Sequence, residues 1–75
     1  MCLSELKPGE TGRVAGVSRA GAVGQRMMDL GILPGTVLRV ERVAPAGDPI
    51  WVRLRGFHLS LRRSEAAGVT VEAVG

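Results

Sequence analysis

Tyrosine is missing from the chain, and tryptophan and phenylalanine occur once each, as Trp51 and Phe57. A core built on aromatic packing is therefore excluded, and the interior must be filled by Val, Leu, Ile, Met and Ala. Single-stranded nucleic acid is usually held by several stacked rings, and one ring makes a poor platform. Cys2 is the sole cysteine, which excludes an internal disulfide and any cysteine-pair metal site and fits a reducing compartment. Histidine is also scarce, with His58 alone. No apolar run approaches the ~20 residues of a membrane-spanning helix. The N-terminus lacks the basic start and apolar stretch of a secretory signal. The expectation is a soluble, cytoplasmic protein.

Length is also short. Seventy-five residues make one small domain, residues 1–75, whose folding hides roughly 60% of the surface of its unfolded chain. That leaves no room for a deep cleft between lobes. A hydrophobic share of 45% with 23% charged residues excludes a disordered tail. Ten Lys plus Arg against seven acids give a net charge of +3, and nine of the ten cations are arginine. Such a balance suits an acidic protein surface, a headgroup layer or a nucleic-acid backbone without choosing among them.

Periodicity then supplies the elements. Leu3 to Leu6 can form one helical turn, stopped by Lys7-Pro8-Gly9-Glu10. Thr11 to Ser18 reads as a strand whose Gly12 and Gly16 suit a sharp bend. A loop at Arg19-Ala20-Gly21 leads to a helix over Ala22 to Leu30, where Val23, Met27 and Leu30 form an apolar stripe at i, i+4 and i+7. Gly31 occupies the position of a left-handed C-terminal cap, and Pro34 cannot continue the helix. Strands follow at Thr36 to Val43, Ile50 to Arg55, Phe57 to Arg62 and Val69 to Ala73. A Pro/Gly loop (Ala44 to Pro49) separates the first two, and Ser64 can cap a short turn through Ala67. In the third strand Ile50, Val52 and Leu54 alternate inward, and in the fourth Phe57 and Leu59 do the same, leaving His58 to solvent. About five short strands with one helix in the first long connection predict a small closed β-barrel.

No catalytic set emerges. Ser4, Ser18, Ser60 and Ser64 lack a Gly-x-Ser-x-Gly setting, and Gly21-Ala22-Val23-Gly24 lacks the Gly-Lys-Ser/Thr ending of a phosphate-binding loop. His58 and Cys2 have no partner at ligand spacing. The expectation is a protein that is not an enzyme and needs no cofactor or metal. If Ile50, Val52 and Leu54 face inward, Trp51, Arg53 and Arg55 line the outer face of that strand, with Arg62 and Arg63 on the next. Trp beside Arg occurs in protein-binding hot spots and in stacking platforms, and also as a plain solvated face. With a single aromatic, protein binding is favoured over nucleic acid.

A wider pattern joins these pieces. Leu-x-x-Leu-x-Pro-Gly near the start is followed by Arg26-Met27-Met28-Asp29-Leu30-Gly31-Ile32-Leu33-Pro34-Gly35-Thr36, then Gly47-Asp48-Pro49-Ile50, Val52-Arg53-Leu54-Arg55-Gly56-Phe57, Leu59-Ser60-Leu61-Arg62 and Ser64-Glu65-Ala66-Ala67. In this order the landmarks resemble the FeoA family of small bacterial ferrous-iron transport proteins over nearly the whole chain, departing at Trp51, where a polar residue is expected. The resemblance implies a mainly β, SH3-like barrel of about five strands with one short α-helix inserted after the first. It also implies an accessory role beside FeoB, the membrane ferrous-iron transporter with a cytosolic GTP-binding domain, through docking that modulates its activity or assembly. The alternative is a regulatory or nucleic-acid-binding barrel of the kind appended to metal-dependent repressors. A homo-oligomer through exposed strand edges stays open.

The turn Gly31 to Gly35 is the part of this pattern with a physical puzzle, because it carries two large apolar residues. One of Ile32 and Leu33 is expected to plug the barrel end. Met28, about 100° around the helix from Met27, is expected to stay exposed. Met28 and Leu33, with Val23 nearby, would then form an apolar docking edge. The candidate partner-binding residues are thus Val23, Met28, Leu33, Trp51, Arg53 and Arg55.

Overall fold

A computed structural model describes residues 1–18 and 21–74. The expected loop at Arg19-Ala20 lies outside the described residues. A 3-10 turn at Leu3–Glu5 opens the chain, followed by β1 (Thr11–Val17), α1 (Gly21–Asp29), β2 (Val37–Val43), β3 (Ile50–Leu54), β4 (Phe57–Leu61), α2 (Arg63–Ala66) and β5 (Val69–Val74). The expected elements are all present, with ends displaced by a residue or so.

The strands form one antiparallel sheet in the order β4-β3-β2-β1-β5. Each turns one face inward, as period-2 alternation requires: Val14, Leu38, Val40, Ile50, Val52, Leu54, Leu61, Val69 and Val71 share a single buried cluster with Met27, Ile32 and Leu3. Burying a side chain of this size contributes about 1.5–3 kcal/mol, so this cluster is the main source of stability. One core shared by all five strands means that the sheet curls into a barrel. It does not close, contrary to expectation: β4 and β5 are the two sheet edges and no ladder joins them. The 3-10 turn packs against both α2 and β5, and buried Leu3 and Leu6 bring apolar cover there.

Two glycines of β1 have local roles. The register of β1 against β5 shifts between Val14 and Gly16, a bulge at the predicted bend. Gly12 has a different reason to be glycine, since a β-carbon there would stand 3.0 Å from Leu6 Cδ1 and 3.2 Å from Val71 Cβ. Its missing side chain lets Leu6 close over the strand.

Three expectations need correction. The buried helix positions are Gly24 and Met27 with half-buried Leu30, whereas Val23 is 43% exposed, so the covered stripe starts one residue later than the apolar pattern. Phe57 lies opposite buried Leu54 in the β3–β4 ladder and so shares its side of the sheet, yet it is 41% exposed. It stands at the hairpin end, where neighbouring strands no longer cover it. Finally, α2 begins at Arg63, so Arg62 and not Ser64 holds the cap position. The Glu65 carboxylate accepts the Arg62 backbone N–H at 2.8 Å, the bond that an N3 glutamate makes back to the N-cap in a capping box.

Candidate partner-docking site

The end of α1 explains the apolar turn. The Gly31 N–H donates to the Met28 carbonyl (3.0 Å) and the Ile32 N–H to the Met27 carbonyl (2.9 Å), with Gly31 at φ +84°. This is a Schellman motif, whose usual companion is an apolar contact between the residue after the glycine and the last helical turn. Ile32 and Met27 are both fully buried members of the core, so Ile32 is the expected plug. Leu33 follows it on the other side of the chain and is 38% exposed.

Thr36 then fixes the turn. Its hydroxyl donates to the Gly31 carbonyl (3.2 Å) and accepts the Leu33 N–H (3.3 Å), while its own N–H donates to the Leu33 carbonyl (3.0 Å). The Gly35 N–H donates to the Val14 carbonyl (2.7 Å), and the Val14 N–H to the Thr36 carbonyl (2.8 Å). Leu33 is thus held over β1 by hydrogen bonds on both sides of it, in a loop with little freedom to lose on binding.

Two grooves flank this ridge. One, of about 310 Å³, lies between the end of β1 (Ala15, Gly16, Val17) and Met28, Ile32, Leu33 and Pro34. The other, of about 510 Å³, runs from Leu33 and Pro34 along Gly35, Thr36 and Val37 to Arg55. Met28 is 42% and Val37 47% exposed, so Met28, Leu33 and Val37 line an apolar edge with Leu33 at its centre.

Arg55 joins this edge through the β3–β4 hairpin. It was expected on the outer strand face with Trp51 and Arg53, but the strand ends at Leu54, which pairs with Phe57. Arg55 and Gly56 form the two-residue turn, with φ +50° and +82°, the type I′ geometry that matches strand twist. The turn carries the Arg55 guanidinium over Gly31, with Nη1 3.2 Å from where a β-carbon would stand. The structure therefore brings Met28, Leu33 and Arg55 together. Trp51 and Arg53 lie on the outer sheet face, and Val23 is exposed on α1 but lines neither groove.

Sequence reasoning missed Val37 and Thr36. Val37 was legible in principle, since alternation from Leu38 and Val40 puts it outward. Thr36 offered no signal beyond its place after Pro-Gly.

A further depression, of about 790 Å³, is a different region lined by Arg26, Asp48, Pro49, Ser60, Arg62 and Glu65. Arg26, Glu65 and Asp48 within it are already engaged. Arg26 Nε pairs with Glu65 Oε2 at 2.6 Å, Glu65 Oε1 caps α2, and Asp48 accepts the Arg63 N–H at 3.1 Å. Among the described residues no three His, Cys, Asp or Glu side chains gather as a metal site, and no helix is long and apolar enough to cross a membrane.

Comparison with known proteins places this geometry. Residues 1–73 match the FeoA domain family. The Fe(2+) transport protein A/Fe(2+) transporter FeoB fusion protein of Porphyromonas gingivalis is 34% identical over 74 residues, which take up 99% of this chain and 9% of that protein's length. The solution structure of the FeoA protein from Chlorobium tepidum superposes with a TM-score of 0.90 at 48% identity, over 100% of this chain and 71% of that one. Stenotrophomonas maltophilia FeoA complexed with zinc, described as a procaryotic SH3 domain protein, matches at 32% identity and a TM-score of 0.84, over 96% and 89% of the two chains. The SH3-like barrel, the helix inserted after β1 and the family match all run through the same residues, and the chain belongs to the FeoA family, linked to ferrous-iron transport.

Proposed function

We propose that this protein is a cytoplasmic accessory of ferrous-iron uptake that docks on the cytosolic part of a FeoB-type transporter through the Met28–Leu33–Val37 edge. The observation that carries the reading is the edge itself: three exposed apolar side chains beside a turn held by the Schellman cap and the Thr36 hydroxyl. Clustered exposed apolar residues mark interaction sites, and a methionine adapts to an irregular partner surface. Arg55 at the rim supplies a cation that can meet a carboxylate or a backbone carbonyl. The fusion of the two proteins in the Porphyromonas gingivalis relative supports the choice of partner, since fusion holds two chains together at high effective concentration. The docked protein acts by linkage: it shifts the transporter only toward states that it binds more tightly. The reaction chemistry stays with the partner, and iron is its cargo.

Calorimetric titration with the cytosolic domain of the cognate transporter tests this. Met28→Glu places a charge at an exposed site, so the fold is retained, and losing an apolar anchor beside the central Leu33 weakens binding by about 30-fold or more. Unfolding of that variant, or unchanged affinity, would remove the edge as the docking site.

A further inference from the structure

Apart from Val37 at its margin, the outer face of the sheet is a part of the molecule that the docking edge leaves unused. Three cross-strand rows define it. Arg39 of β2 stands opposite Arg53 of β3, and Arg53 opposite His58 of β4. One row along, Arg42 lies opposite Trp51, and Trp51 opposite Ser60. On the other side, Arg13 lies between Glu72 and Val37. Four arginines thus share the face with Glu72 and with Glu41 in the β2 bulge. The one ion pair among the described residues, Arg26–Glu65, lies elsewhere. Like charges directly opposite in a ladder destabilise a sheet, and here Arg39 and Arg53 face each other without a counter-charge between them.

We propose that this face docks on an anionic phospholipid bilayer, with Arg39 and Arg53 at its centre. An anionic surface relieves the repulsion along the Arg39–Arg53 row, and each arginine near such a surface adds to the attraction. The face also carries the amphipathic groups that a headgroup layer accepts. Trp51 is half-buried, and tryptophan favours the membrane–water boundary. Val74, opposite Thr11 at the end of the central row, is exposed, as is Val37. Arginine stems can lie along apolar surface while their heads meet phosphate.

Nucleic acid fits the same face less well. The Trp51 ring is already covered by the Arg42 guanidinium, 4.2 Å from the ring centroid, which leaves that side closed to a base. Phe57 lies on the other side of the sheet, and His58, opposite Arg53 in the next row, is the one other ring on this face, which makes a small stacking platform. As the outside of a curled sheet the face is convex, so it rests on a surface and does not wrap a duplex. The reading does not depend on the transporter docking proposed above: the Met28–Leu33 side is separate, and Val37 marks the boundary between the two surfaces.

The test is flotation of the protein with phosphatidylglycerol-containing vesicles and with phosphatidylcholine vesicles, with Trp51 fluorescence as a second readout. Binding to the anionic vesicles alone is expected, and it should fall as salt rises. Arg39→Gln combined with Arg53→Gln should weaken it about 25-fold, roughly fivefold per arginine removed, with circular dichroism unchanged. Should that pair unfold the protein, Arg13→Gln with Arg42→Gln on the flanking rows provides the same reading. Arg63→Gln, outside the face, should bind as the parent does. Absence of binding, equal binding by neutral vesicles, or retention in a folded double variant would overturn the proposal. Tighter binding of a single-stranded oligonucleotide than of the vesicles at equal salt would overturn it too, and would identify the face as a nucleic-acid surface.

Discussion

Thr36 and Glu65 are the polar side chains buried among the described residues, and each ties two parts of the chain together. Thr36 does so with a single hydroxyl that both donates and accepts across the Gly31–Leu33 turn. Thr36→Val keeps the volume and removes the hydroxyl, leaving the Gly31 carbonyl and the Leu33 N–H without that partner. An unmet buried polar group costs about 1–3 kcal/mol, so denaturant unfolding should shift by that amount with an unchanged slope. The same variant should weaken transporter-domain binding even though Thr36 need not touch the partner, because Leu33 is no longer held. If stability falls and affinity does not, the turn's rigidity is irrelevant to docking.

Among the elements, α2 is the shorter of the two α-helices and the most dependent on one side chain. At four residues it is too short to persist on helix propensity alone. Glu65 closes its first turn by accepting the Arg62 N–H and links it to α1 through Arg26. The partners are unequal: the Glu65 side chain is 8% exposed and that of Arg26 52%. Glu65→Ala should therefore cost up to about 2 kcal/mol, the upper end of the range for a lost cap, whereas Arg26→Ala should cost ~1 kcal/mol or less, as for an exposed ion pair. Chemical denaturation of both single variants and the double variant checks this. Equal effects of the two substitutions would show that the ion pair, and not the cap, carries the stabilisation. The short turn at Ser64 to Ala67 was legible from composition, but its cap was not: serine is a good candidate on propensity, whereas the helix starts at Arg63, ahead of it, where the buried Glu65 carboxylate reaches back to the Arg62 N–H and across to Arg26.

At the scale of the whole molecule, apolar and cationic residues that are mixed along the chain separate onto different surfaces. Met28, Leu33 and Val37 make one edge, and Arg13, Arg39, Arg42 and Arg53 occupy the outer sheet face. The two should respond differently to salt. Across roughly 50 to 200 mM salt, a range in which several phosphate contacts together cost a factor of about 10³ or more, binding to the transporter domain should change little. Charged surfaces are screened over about 10 Å at 0.1 M, so binding to anionic vesicles should weaken strongly over the same range. Parallel titrations of both partners provide the comparison, and matching slopes would mean that one basic surface serves both.

Hydrophobic period and local turn chemistry determined most of the fold: the five strands, the helix α1, the inward Ile50, Val52 and Leu54, and the Gly31 cap all follow from local rules about side-chain alternation and φ. The exposed Met28 and the division between buried Ile32 and exposed Leu33 were likewise legible, because successive residues after a helix cap must point to opposite sides. Only tertiary structure decided which candidates meet. Arg55 left the strand because its neighbour Gly56 favours a type I′ turn, and the hairpin then laid it over Gly31, far along the chain. Val23 stayed exposed away from both grooves and Phe57 lost its cover, since burial depends on what neighbouring elements place above a residue and not on its own apolarity. The Arg39–Arg53 row, too, belongs to register: pairing across strands sets arginines from distant segments side by side, and a linear pattern holds no record of that distance.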